Sequence, residues 1–248
     1  MVSGMIGVSA SPRSSTIPAP AVLRSPALRN IALAGPAGRL EAVLNEGAPG
    51  APFAALVCHP HPKGGGTLHN KVVYHAMKVL NEASFGLSLP VLRFNFRGTG
   101  LSQGTHDGKL EAGDVLAAMD WLVNEYSRPL VVAGFSFGAA MALSACCGLD
   151  QSRAPIRASV RALAALGLPT EAEGREYKYR FLANCTIPKL FLSGDHDQYA
   201  PSTQLAHVVD SAAEPKRLLL VPGADHFFTG QLEAMQQALC GWLKEQLQ

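Results

Sequence analysis

From residue 27 onward, short apolar runs alternate with longer segments of helical period, and this alternation constrains the fold more than any other feature of the chain. Ala54 to Cys58, Pro90 to Phe94, Leu130 to Phe135, Ala162 to Gly167, Lys189 to Ser193 and Arg217 to Val221 read as strands. They are short and mostly aliphatic, without strict polar alternation, as strands covered on both faces are. Between them, about Leu68 to Ala83, Leu110 to Tyr126, Ser136 to Cys147, Ser202 to Ser211 and Gly230 to Leu247 repeat apolar residues at three- and four-residue steps and read as helices. Ile31 to Ala34 and Leu40 to Leu44 flank a Gly-Pro-Ala-Gly turn and suggest a leading antiparallel hairpin. The pattern predicts an α/β fold with a mostly parallel, twisted sheet of about eight strands flanked by helices.

Composition narrows the function classes. With 48% hydrophobic and 16% charged residues over a length of 248, residues 27–248 suit one covered-sheet domain. A net charge of +2 without a dense basic run disfavours nucleic acid as a partner. Apolar stretches such as Pro129 to Phe135 fall well short of the roughly 20 residues that cross a bilayer, so no membrane span is expected. Residues 1–26 are rich in Ser, Pro and Ala and carry Arg13 and Arg24 without an acidic residue, which predicts a flexible N-terminal extension. Pro12, Pro18, Pro20 and Pro26 would break the amphipathic helix of a transit peptide. Five cysteines at scattered spacings, with no CxxC pair, predict neither a disulfide framework nor a zinc site. Cys146 and Cys147 are expected to be small buried thiols in a reducing, cytoplasmic setting.

The chemistry concentrates at the ends of three predicted strands. Gly134-Phe135-Ser136-Phe137-Gly138 joins the strand ending at Phe135 to an Ala-rich helix. The pentapeptide alone arises by chance; its strand-to-helix context is the signal. A sharp turn there pushes Ser136 outward, and a helix start directs N–H groups at charge developing on a bound acyl group. The competing reading is a plain serine N-cap with turn glycines. A serine hydroxyl needs a base, and His226 lies just past a late strand in Pro222-Gly223-Ala224-Asp225-His226. Between them, Gly194-Asp195-His196-Asp197 ends another strand and offers two carboxylates. Asp197 is the favoured acid, since it lies three residues past Gly194 and four before Pro201, whereas Asp195 suits a role in shaping the turn.

GFSFG, GDHDQYAP and PGADHFF resemble the nucleophile elbow, acid loop and histidine loop of the α/β-hydrolase superfamily. His59-Pro60-His61-Pro62, the following Gly-Gly-Gly-Thr, Asn70-Lys71-Val72-Val73 and Arg93-Phe94-Asn95-Phe96-Arg97-Gly98 are similar to a bacterial-type group of small hydrolases related to dienelactone hydrolases and short-chain esterases. The resemblance spans about residues 28 to 247; Tyr199-Ala200 departs from the two aliphatic residues usual before the proline.

The resemblance implies a Ser136, Asp197 and His226 triad, with oxyanion N–H groups from Phe137 and from the loop after the strand ending at Cys58. Pro60 and Pro62 have no N–H, which leaves His61 as the nearest donor in that loop. His59 and His61 as HxH could bind metal, but Pro62-Lys63-Gly64 lacks the Asp and His of a common hydrolase metal motif, so no metal and no cofactor are expected. Arg97-Gly98-Thr99-Gly100-Leu101-Ser102 resembles a wall turn rather than a phosphate loop. His69, His75, His106, His196 and His207 have no partner placed by motif. From Pro169 to Thr186 the chain is too short for a lid domain, so an open site for a small ester or acyl substrate is expected. A serine esterase is the leading expectation, with a thioesterase or amidase using the same triad, or a non-catalytic hydrolase-fold binding module, as alternatives.

Overall fold

The computed structural model describes Met1 and residues 27–148, 159–172 and 175–248, with the side chains of residues 172–176 left aside. The expected N-terminal extension, residues 1–26, lies outside the described residues apart from Met1. The described residues form ten strands: β1 Leu28–Gly35, β2 Gly38–Asn45, β3 Ala54–Cys58, β4 Val91–Phe94, β5 Leu130–Phe135, β6 Val160–Leu166, β7 Glu171–Ala172, β8 Arg175–Glu176, β9 Lys189–Gly194 and β10 Lys216–Val221. Its described helices are α1 Lys71–Asn81, α2 Ala112–Tyr126, α3 Phe137–Cys147, α4 Ser202–Ser211 and α5 Leu232–Gln246.

Eight strands form one sheet in the order β1-β2-β4-β3-β5-β6-β9-β10. Only β2 runs against its neighbours; the pairs from β4 through β10 are parallel. Parallel neighbours need crossovers, and the helices that make them cover both faces. One face packs on α2, α3 and α4 through Val115, Met119, Leu143 and Leu205. The other packs on α1 and α5 through Val73, Leu80, Leu239 and Leu243. The central strands β3, β4, β5 and β9 are buried at every residue, which explains their unbroken apolar runs.

The strand order reverses between β3 and β5, because β3 leads by way of α1 to β4 on one side and β4 returns by way of α2 to β5 on the other. A reversal of this kind leaves a crevice at the carboxyl ends of the strands, where loops diverge. Ser136 follows β5 there, His61 follows β3, Asp197 follows β9 and His226 follows β10. Between β6 and β9 the described residues form the β7–β8 hairpin and one 3-10 turn, Arg180–Asn184, and no inserted lid. No helix among the described residues is long and apolar enough to cross a membrane.

One expectation is overturned. Cys147 is not a free thiol: it is joined to Cys185 in a disulfide with a Cα separation of 5.2 Å across 38 positions of sequence. The pair forms because the end of α3 packs against the 3-10 turn before β9, a tertiary contact that linear cysteine spacing does not display. Cys58, Cys146 and Cys240 are not in disulfides and are buried, as small apolar residues are.

Candidate active site

The elbow begins where β5 ends. Ser136 has φ 55 and ψ −122, a left-handed conformation that a residue with a Cβ adopts only under the constraint of its surroundings. The constraint comes from close packing on both sides. A Cβ at Gly134 would collide with the backbone of Gly138 and Ala139, and one at Gly138 with the carbonyls of Cys58 and His59 at the end of β3. The Ser136 N–H donates to Leu166 O on β6 at 2.8 Å, which ties the turn to the next strand. The hydroxyl therefore stands out from the turn, half-buried, at the start of α3.

His226 meets it from the loop after β10. Its Nε2 is 2.9 Å from Ser136 Oγ, and its Nδ1 is 2.9 Å from both carboxylate oxygens of Asp197. Asp225 shapes that loop by accepting the N–H groups of Phe227 at 3.0 Å and Thr229 at 2.9 Å. The Thr229 backbone N–H, the largest influence, holds the Asp225 carboxyl below the usual carboxylate range. The ring of His226 is buried and packed edgewise or tilted against Phe135, Tyr199 and Phe227, at centroid distances of 5.0, 4.7 and 5.1 Å. Gly167, after β6, has φ +52, and a Cβ there would lie 3.2 Å from Cε1 of His226. The imidazole is thus held in place on several sides by atoms from four loops.

Of the two candidate carboxylates, the structure brings Asp197 to the histidine. Its side chain is buried and fully engaged: Oδ2 accepts the hydroxyl of Ser193 at 2.8 Å, and Oδ1 accepts the N–H groups of Tyr199 at 2.8 Å and Ala200 at 3.1 Å. Asp195 instead accepts the Gly223 N–H at 2.7 Å, joining the acid loop to the histidine loop. The bonds from Tyr199 and Ala200 are made by backbone, so they do not depend on the aromatic side chain at position 199.

The loop after β3 lies on the other side of the elbow. The ring of His61 packs edgewise on that of Phe137 at a centroid distance of 5.0 Å, so the residues expected to supply oxyanion N–H groups are neighbours. His59 has a different role from its HxH partner. It is completely buried, with Nδ1 2.7 Å from Pro60 O, while Nε2 accepts the Phe96 N–H at 3.0 Å. Both nitrogens serve the backbone, and burial lowers its pKa to about 4, so His59 is a neutral structural bridge between the loops after β3 and β4. Arg97, in the wall turn after β4, is clamped by buried Asp114 on α2, with Nη2 2.7 Å and Nε 3.0 to 3.1 Å from the carboxylate. The sequence motifs do not point to Ser193, Gly167 or Asp114: Ser193 donates to Asp197 four residues on, while Gly167 packs on His226 and Asp114 holds Arg97 from separate elements.

A strained serine hydrogen-bonded to an imidazole, which is itself hydrogen-bonded to a buried carboxylate, is an arrangement able to activate a hydroxyl as a nucleophile. Known proteins agree with this fold. The family model for the alpha/beta hydrolase domain matches residues 56–238. An uncharacterized protein of Rickettsia prowazekii is 35% identical over 218 residues, covering 84% of this chain and 86% of the relative. Two solved structures are similar: an α/β serine hydrolase without lid from Xanthomonas campestris, with 29% identity, TM-score 0.74 and coverage of 88% of this chain and 94% of that one; and an alpha-beta serine hydrolase homologue from Coxiella burnetii, with 31% identity, TM-score 0.73 and coverage of 87% and 97%. The match of the family model across residues 56–238 shows that the chain belongs to the α/β-hydrolase family.

Proposed function

We propose that this protein is a serine hydrolase that cleaves carboxylic esters of small molecules through an acyl-enzyme. The observation that carries the reading is the continuous chain of contacts from Ser136 Oγ through His226 to Asp197, each 2.9 Å long. In this mechanism, Nε2 of His226 takes the Ser136 proton as Oγ attacks the ester carbonyl. Asp197 holds Nδ1–H toward itself, which leaves Nε2 as the acceptor and stabilises the imidazolium that forms. The N–H groups of Phe137 and His61 receive the negative charge on the carbonyl oxygen, a contribution of about 10²- to 10³-fold per donor in other enzymes. His226 then returns the proton to the leaving alcohol, and water, activated by the same imidazole, releases the acid.

Tyr199 and Phe227 line the approach to His226 and remain 40% and 46% exposed, which supports an apolar substrate group lying against them. The test is a panel of acyl esters and thioesters of graded chain length, with Ser136→Ala as blank. Ester turnover by the wild type that is lost by several orders of magnitude in the blank is expected. Wild-type-like ester turnover in Ser136→Ala, or kcat/KM for thioesters far above that for the matched oxygen esters, would contradict the reading.

A further inference from the structure

His106 has no partner that sequence reasoning assigns, yet the fold places it beside the loop that carries His61. The two Nε2 atoms are 3.3 Å apart. On its other side, Nδ1 of His106 lies 2.6 Å from Oε1 of Glu111, a carboxylate with no exposure to solvent. Glu111 Oε1 also accepts the N–H groups of Asp107 at 2.9 Å and Gly108 at 3.0 Å. His61 in turn folds its own loop. Its Nδ1 accepts the Lys63 N–H at 3.1 Å, and its carbonyl accepts those of Gly64 at 3.0 Å and Gly66 at 3.1 Å.

These contacts admit one consistent set of neutral tautomers. Because Nδ1 of His61 accepts from Lys63, its ring proton is on Nε2, which donates to Nε2 of His106. His106 must then carry its proton on Nδ1, facing Glu111. Nδ1 then lies 2.6 Å from Glu111 Oε1, with the oxygen off the ring N–H axis, so the carboxylate holds the ring by close electrostatic contact and not by an aligned hydrogen bond. Both imidazoles also pack edgewise on Phe137, at 5.0 and 5.4 Å, so the same cluster touches both residues of the oxyanion site.

We propose that Glu111, His106 and His61 form a second side-chain relay, a close carboxylate–imidazole contact followed by a hydrogen bond between the two imidazoles, separate from the one that reaches Ser136, which holds the loop after β3 where its N–H meets the developing oxyanion. This role rests on the ester-hydrolysis reading. Glu111 and His106 are positioning residues, acting through His61 and touching no reacting atom. A ring at position 106 without nitrogens keeps the packing on Phe137 and removes the relay, so His106→Phe isolates the effect.

The test combines kinetics with NMR on the full chain. In wild type, long-range proton–nitrogen spectra should show His61 protonated at Nε2 and His106 at Nδ1, with Glu111→Gln altering the His106 signals. His106→Phe should lower kcat for p-nitrophenyl acetate by about 10- to 100-fold, since a misplaced catalytic group costs on the order of 10²-fold, while KM changes by less than about threefold. Inhibition by a trifluoromethyl ketone, whose serine adduct carries the oxyanion, should weaken by a similar factor. His106→Gln, which can still bond His61, should recover most of the loss. If His106→Phe folds poorly, His106→Leu, which also lacks ring nitrogens, gives the same comparison. Unchanged trifluoromethyl ketone inhibition in folded variants, or the opposite tautomers in wild type, overturns the relay. A wild type that neither hydrolyses the ester nor forms the ketone adduct overturns the ester-hydrolysis reading itself, and the positioning role with it.

Discussion

Asp195 and Asp197 stand two residues apart with separate duties, one tying the acid loop to the histidine loop and the other holding the imidazole. Asp197→Asn should leave the fold intact but favour the wrong tautomer of His226, lowering turnover by roughly 10⁴-fold, as the equivalent change does in a serine protease. Asp195→Asn should cost far less in a parallel assay of kcat. Gly167→Ala places a Cβ against Cε1 and Nδ1 of His226 at 3.2 and 3.3 Å and demands a left-handed backbone at φ +52. A drop in kcat of about 10- to 100-fold is expected from the displaced imidazole, and an unchanged kcat would show that the ring gives way freely. The meeting of Ser136, His226 and Asp197 was legible from sequence because each lies in a motif that follows a recognisable strand. Glu111 and His106 were not, because no motif pairs them: Glu111 caps the start of α2, His106 lies on the loop before it, and both acquire meaning only beside His61, 45 residues before His106.

At the level of elements, the wall turn after β4 depends on α2. Asp114 is wholly buried and Arg97 nearly so, and Asp114 also accepts the Arg97 backbone N–H at 3.0 Å. Asp114→Ala leaves the guanidinium buried without its carboxylate, which should destabilise the fold by about 3–5 kcal/mol in urea titration; a loss below about 1 kcal/mol would show that the turn stands alone. The main strands and helices were readable from period and length, with ends displaced by local capping. α1 starts at Lys71 rather than Leu68 because the Asn70 side chain accepts the N–H groups of Val72 and Val73. β7 and β8, two residues each, are too short to leave a periodic trace. The Cys147–Cys185 disulfide was missed because it depends on how the end of α3 meets the turn before β9.

Across the whole molecule, one reversal of strand order gathers loops from β3, β4, β5, β9 and β10 at one edge of the sheet. His59 helps hold that edge together as a buried neutral imidazole with a pKa near 4, below the value of about 6.5 for an unfolded chain. The unfolded state therefore takes up the proton first as pH falls. Stability from His59 is complete above about pH 6.5 and is lost progressively down to about pH 4, by about 3 kcal/mol in total. Urea titrations of wild type and His59→Gln at pH 7.5 and 4 should show the wild type losing about that much more; equal losses would mean that His59 is not neutral and buried. The sheet and its crevice bear on function only through what Ser136 does there. The most direct measurement is to treat the wild-type protein with a fluorophosphonate and locate the adduct by peptide mass spectrometry. One adduct per chain on Ser136, absent from Ser136→Ala and formed far more slowly by His226→Ala, is the predicted result. No adduct, or one on another residue with Ser136 unmodified, would contradict the assignment of Ser136 as the nucleophile.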